Sequence, residues 1–242
     1  MTAHVLPRPT LRRSRRGVLM LPIAFLALLV VGAGIFVSFV LWPTWPSGPI
    51  PLNAPAIPIT VANVLFDVPP AAIRAAVQRH PGPHERIDLA FLWPSLTPPP
   101  TGKGAEQQPA DNDGAAPADD QRLFVTIAGL GPVLPPAERL RAIYPHYIET
   151  QAAAGPDGLA ILPFRAGTPY QGEDLVYLAT NPEQFFARCS RQIGAIRGTC
   201  LHERLIDTAE VTVRFPRNLL DDWRGVAAGI DRLVGQLHPP KN

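Results

Sequence analysis

The longest apolar run of the chain lies near its start, where no residue from Gly17 to Trp42 is charged. A hydrocarbon core takes roughly 20 apolar residues at about 1.5 Å rise each, so this run can span a bilayer with some tilt. Pro22 falls in its first turns, where a missing N–H costs least, and Trp42 and Trp45 fall where an interfacial aromatic belt is expected. The pattern predicts a transmembrane helix over residues 17–42. Residues 43–56 then hold five prolines, the composition of a semi-rigid extended spacer.

From residue 57 the pattern shortens into runs typical of a folded domain. Ile57–Phe66, Ile87–Trp93 and Arg122–Ala128 are rich in Ile, Val, Leu and Phe and predict strands. Pro69-Pro70 and Pro135-Pro136 sit where helices tolerate proline, and they predict helices over Ala71–Arg79 and through Tyr144. Their shared Pro-Pro-Ala start hints at a repeated strand–helix–strand unit. Further strands are predicted at Tyr147–Gln151, Leu159–Phe164, Leu175–Thr180, Cys200–Ile206 and Glu210–Phe215. Gly155-Pro156-Asp157-Gly158 forms a turn between two of them, and Asn181-Pro182 opens a helical turn through Phe186.

The last element has the clearest period. Leu219, Leu220, Trp223, Val226, Ile230, Leu233, Val234 and Leu237 share one helical face, with charged residues opposite and Pro239 as the stop. An amphipathic helix needs a sheet to cover. The predicted fold of residues 57–242 is therefore α+β, a mixed and mainly antiparallel sheet with the C-terminal helix packed on it. Residues 97–121 contain no aromatic or branched aliphatic side chain, so they cannot offset their ordering entropy and are expected to be a disordered insertion.

Charge orients the chain. Arg8, Arg12, Arg13, Arg15 and Arg16 precede the apolar run, and no charged residue follows it until Asp67. The positive-inside rule puts residues 1–16 in the cytoplasm and the rest outside, the layout of a single-pass protein of the inner (cytoplasmic) membrane of a bacterium with its domain in the periplasm. The chain has 22 Lys and Arg against 20 Asp and Glu, so without those five arginines the remainder is 17 basic and 20 acidic, a net of −3. Such a domain has no overall pull toward nucleic acid. A cleaved signal peptide has an apolar core of about 7–15 residues, shorter than this one. Ser14-Arg15-Arg16-Gly17-Val18-Leu19 resembles a twin-arginine export signal, but an Arg-rich stop before a span has the same letters.

Composition and motifs then narrow the chemistry. Cys189 and Cys200, the only two cysteines, lie in the exported part, where an even count reads as a disulfide. Beyond the span only Ser47, Ser95 and Ser190 remain, none in a nucleophile motif, and no phosphate- or dinucleotide-binding glycine pattern occurs. No cofactor is expected. His80, His84, Glu85 and Asp88 cluster, but two prolines prevent the helix that would put both histidines on one metal, so no metal site is assigned. Glu173-Asp174 precede a strand and read first as turn residues; as the alternative they are candidate carboxylates for a membrane-anchored hydrolase acting on an envelope glycan.

Arg188, Arg191, Arg197 and Arg204 crowd the disulfide loop and form a possible partner-binding basic patch, unless they pair with Glu183, Glu203, Asp207 and Glu210. The layout of tail, span, spacer and domain resembles bitopic envelope-assembly and secretion-scaffold proteins in topology alone. It implies a non-catalytic, membrane-tethered interaction or scaffold module with an envelope protein as partner.

Overall fold

The computed structural model describes residues 15–41, 50–100, 122–131, 134–182, 184–192 and 198–238. The chain divides into two compact units, Met1–Trp45 and Pro46–Asn242. In the first, helix α1 runs over Arg15–Leu41, with Phe25, Leu28, Phe36 and Phe39 exposed along it. No helix among the described residues is long and apolar enough to cross a membrane.

The second unit is α+β, as the pattern of residues 57–242 predicts. Eight antiparallel strands form its main sheet in the order β4-β5-β11-β10-β9-β8-β7-β6, and a smaller mixed sheet has the order β2-β1-β3. In chain order the strands are β1 Ile57–Val61, β2 Val64–Val68, β3 Gly82–His84, β4 Arg86–Leu92, β5 Arg122–Gly129, β6 Ala153–Ala154, β7 Leu159–Pro163, β8 Glu173–Leu178, β9 Phe186–Ser190, β10 Thr199–Ile206 and β11 Ala209–Pro216. Helix α2 covers Pro136–Ala142 and helix α3 covers Trp223–Leu237.

The long strand expected at Ile57–Phe66 is a hairpin. Ala62 and Asn63 both take positive φ, 50° and 66°, the backbone of a two-residue turn whose twist matches its strands. Alternation then puts Ile59, Val61, Val64, Phe66 and Val68 into the core. Gly82, at φ 108°, starts β3, which pairs parallel to β1.

Ala71–Arg79 is not a helix. Only 3₁₀ turns form, at Pro70–Ala72 and Ala76–Gln78, because Ile73 bridges Leu89 and the Arg74 amide donates to the Asp88 carbonyl. Pairing with the edge of β4 wins over local propensity. The hinted strand–helix–strand repeat has no first helix. Around Tyr147–Gln151 the chain makes a 3₁₀ turn at Tyr144–His146 and a single bridge from Ile148 to Phe164. The helical turn expected through Phe186 gives way to β9.

One large core lies on the first face of the main sheet, where α3 and the small sheet cover Leu89, Val125, Val211, Val213 and their inward neighbours. Trp223, Val226, Ile230, Leu233 and Leu237 of α3 are buried in it. Asp222 caps α3 by accepting from the Gly225 amide at 3.2 Å, and the ring nitrogen Nδ1 of His238, just past its end, bonds the Leu65 carbonyl of β2 at 2.8 Å. A second cluster on the opposite face joins Leu140 of α2 to Tyr144, Phe164, Leu175 and Phe186. Residues 1–14, 42–49 and 101–121 lie outside the described residues. Most of the tail, half of the spacer and most of the insertion expected from the sequence fall among them.

Candidate functional site

Neighbouring residues on a strand point to opposite faces, and β8 to β10 use that alternation to separate two ionic clusters. On the second face, beneath α2, Arg188 of β9 donates to Glu173 of β8 at 2.9 Å and lies 3.9 Å from Glu203 of β10. Arg139 of α2 reaches Glu203 at 3.2 Å and Glu210 of β11 at 2.5 Å. Charge therefore alternates in sign from β8 through β9 to β10, and Arg139 of α2 pins that helix to the neighbouring carboxylates of β10 and β11.

These side chains are largely out of water, with Glu203 only 8% exposed. Burial raises the Glu203 carboxyl above the ordinary carboxylate range, and Arg139 and Arg188 oppose that rise. Tyr144, buried alongside, is pushed up to about 12, chiefly by loss of water, so its phenol stays protonated. The Arg188 guanidinium also lies over the Tyr170 ring at 5.1 Å.

On the first face Asp174 lies opposite Cys189 in the β8–β9 register, and Cys189 opposite Cys200 in the β9–β10 register. The two cysteines form a disulfide with their Cα atoms 4.0 Å apart. Asp174 is buried and accepts from Arg191 at 2.7 Å and Arg217 at 2.6 Å. Arg217 also donates to the Ser190 carbonyl at 3.1 Å. Further along the same face His202 is buried, its Nδ1 donating to the Phe186 carbonyl at 2.7 Å and its ring stacked on Phe185 at 5.3 Å between centroids. Burial lowers it to about 4, so it is neutral near pH 7 and has no charge to share.

No family model matches the chain, and no curated protein matches it. Among solved structures it is similar to an immunity protein of the Stenotrophomonas maltophilia type IV secretion system, at 14% identity and TM-score 0.48, covering 78% of this chain and 98% of that one. It is also similar to the iron-regulated outer membrane lipoprotein FrpD of Neisseria meningitidis, at 8% identity and TM-score 0.43, covering 80% of this chain and 98% of that one. Likeness at that level carries no argument about partners or chemistry.

The disulfide is where the sequence places it. The arginines expected around it do not gather on one surface. Arg188 faces α2 and Arg204 faces α3, where it pairs with Asp231; Arg191 is held by Asp174, and Arg197 lies outside the described residues. Glu173 and Asp174 diverge in the same way, one to each face and each on an arginine, so they cannot act together on one bond. His80 and His84 stack at 4.3 Å, and among the described residues no three His, Cys, Asp or Glu side chains converge as a metal site would need. Sequence reasoning missed Arg139 and Tyr144, since one arginine on a short helix reads as solvent-facing.

Proposed function

We propose that this chain is a membrane-anchored interaction module that holds its α+β domain in the periplasm and performs no chemistry of its own. The observation that carries the reading is the divergence of Glu173 and Asp174. These two carboxylate candidates are neutralised by Arg188, Arg191 and Arg217 on opposite faces of the sheet, which keeps them from serving hydrolysis as an acid–base pair. The Cys189–Cys200 bridge supports an oxidising compartment. A helix from Arg15 to Leu41 without charge beyond Arg16, preceded by further arginines, supports an anchor with its start in the cytoplasm, and the prolines of 43–56 support a spacer between the two.

Two measurements test this. Alkaline phosphatase fused after Asn242 is expected to be active in cells, and the chain to resist extraction from membranes by alkaline carbonate; an inactive fusion or a freely extracted chain overturns the address. Crosslinking of the full-length protein in native membranes, followed by mass spectrometry, is expected to recover a reproducible envelope-protein partner. Recovery of none, together with glycan cleavage by the purified chain that is lost in Glu173→Gln or Asp174→Asn, overturns the non-catalytic reading.

A further inference from the structure

The main sheet ends on one side at β6, and the backbone there is left open. Antiparallel pairs alternate between those that exchange hydrogen bonds and those that do not. The Gly155 amide donates to the Leu159 carbonyl at 2.8 Å, and Ala153 and Ala154 lie opposite Ile161 and Ala160 of β7. The Ala153 and Gly155 amides are therefore taken up by β7. The carbonyl of Ala152 and both backbone groups of Ala154 point outward. Neither Ala152 nor Ala154 bonds another backbone group among the described residues. Gln151, Ala152, Ala153 and Ala154 are all exposed, and no charge occurs from Thr150 to Pro156. The other sheet edges are each blunted. At β4 the Asp88 carbonyl accepts from the Arg74 amide, while Gln78 accepts from the Asp88 amide and donates to the Arg86 carbonyl. At β2 the Leu65 carbonyl is taken by His238, and β3 has Pro83 at its centre.

From this we infer that β6 is a self-pairing edge, where the sheets of two copies of this chain join antiparallel about a two-fold axis at Ala153. The inference rests on the membrane-anchored reading above for the local concentration that an anchor supplies. With Ala153 on the axis, the Ala154 amide of each copy meets the Ala152 carbonyl of the other, and the Ala152 amide meets the Ala154 carbonyl. Symmetry doubles each bond. Paired strands lie about 4.8 Å apart, and side chains no larger than alanine leave that approach clear. A two-fold edge also sets each side chain against the same short stretch of its copy, so a charge there would repel. From Gln151 to Gly155 there is none, and the chain then leaves the edge through the 3₁₀ turn at Pro156–Gly158. The nearest charges, Glu149 and Asp157, lie outside the paired stretch, and Asp157 is held by Arg224. A foreign strand draws its specificity from pockets beside the edge that take alternate side chains. Ala152, Ala153, Ala154 and the neighbouring Ala160 offer none. So few bonds bind weakly in free solution, whereas two copies confined to one membrane meet at a far higher effective concentration.

The test uses the full-length protein in native membranes. Antiparallel partners that exchange no hydrogen bonds have Cα atoms about 4.5 Å apart, within the roughly 4.4–6.8 Å that a disulfide spans. Both native cysteines are bridged, so Ala153→Cys adds the chain's single free thiol. Oxidation by copper phenanthroline is expected to convert most of that variant to a covalent dimer on non-reducing gels. Ala228→Cys, at an exposed position of α3, is expected to stay monomeric. In cells making two differently tagged copies, Ala153→Lys in both is expected to lower co-purification about threefold or more, since like charges then face each other. Ala153→Asp in both should do the same, and one Lys copy with one Asp copy should recover the wild-type yield. Circular dichroism and the melting temperature establish that each variant is folded.

A membrane-bound Ala153→Cys chain that crosslinks no more than Ala228→Cys overturns the self-pairing edge while leaving the anchored module standing. Unchanged co-purification in the Ala153→Lys variant overturns it too. Loss in both charged variants without recovery in the mixed pair overturns the two-fold register at Ala153. A chain that alkaline carbonate releases, yet that still crosslinks through Ala153→Cys, overturns the anchor and supports the edge.

Discussion

Cys189 and Cys200 are direct partners in the antiparallel register of β9 and β10, so their bridge ties two strands that the backbone already holds together. Its contribution comes mainly from the unfolded chain, where it closes a loop over a sequence separation of 11. Chain-entropy reasoning gives about 3 kcal/mol for a loop of that size. The double variant Cys189→Ala/Cys200→Ala is expected to lose that much in urea unfolding. Added reductant should lower the wild-type midpoint and leave the variant's unchanged. A wild type indifferent to reductant would show that the bridge adds nothing.

His202 predicts a pH dependence. Its folded value, about 4, lies below the ordinary 6.5, because burial against Phe185 disfavours the charged ring by more than the bond to the Phe186 carbonyl favours it. The unfolded chain therefore binds the proton first as pH falls. The stabilisation is fully present above about pH 6.5 and drains away toward pH 4. Between pH 7 and 5.5 the loss amounts to about 1 to 1.5 kcal/mol. His202→Phe keeps an aromatic ring on Phe185 and cannot titrate, so its stability should be flatter over the same interval. Parallel curves for the two proteins would remove His202 as the cause.

The register of the main sheet explains what was readable in the sequence and what was not. Strands with one apolar face, such as Arg122–Gly129 and Ala209–Pro216, announce themselves by alternation, and the face of α3 does so by its period. Phe186–Ser190 fails because α2 and the aromatic cluster bury part of its second face, so its pattern is broken by Arg188 pointing inward. The hairpin at 57–68 hides its turn in Ala62-Asn63, residues that carry none of the usual glycine signal. Among the candidate site residues the disulfide was legible from compartment and count. The sides taken by Glu173 and Asp174, and by Arg188 and Arg204, depend on which strands lie next to β8 and β10, which is information held in the tertiary structure.

Arg139 is expected to matter more than any exposed arginine. It bridges Glu203 and Glu210 with only 17% of its own side chain exposed. Removing one partner of a buried pair leaves the other charge uncompensated, at a cost of about 3 to 5 kcal/mol. Arg139→Met should therefore lower stability by about 3 kcal/mol in denaturant unfolding. Arg224→Met, which breaks the solvent-exposed pair with Asp157, should change it by less than about 0.5 kcal/mol. Equal effects of the two variants would mean that the ion network under α2 does not hold it.

Two glycines of α3 should respond in opposite directions to the same substitution. A Cβ at Gly229 would stand 2.5 Å from the indole carbon Cζ3 of Trp93 and 3.0 Å from Cη2, a rigid ring packed across the helix. A Cβ at Gly235 would meet nothing within 4 Å. Both changes to alanine gain about 1 kcal/mol of helix propensity, yet only the first overpacks the core, at about 1 to 3 kcal/mol and more where backbone must shift. Gly235→Ala is expected to raise the urea midpoint by roughly 0.5 to 1 kcal/mol equivalent. Gly229→Ala is expected to lower it by about 1 to 2 kcal/mol, with a change in Trp93 fluorescence as the ring moves aside. The second readout separates the two causes, because a loss of stability with unaltered tryptophan emission would put the strain somewhere other than the Trp93 contact.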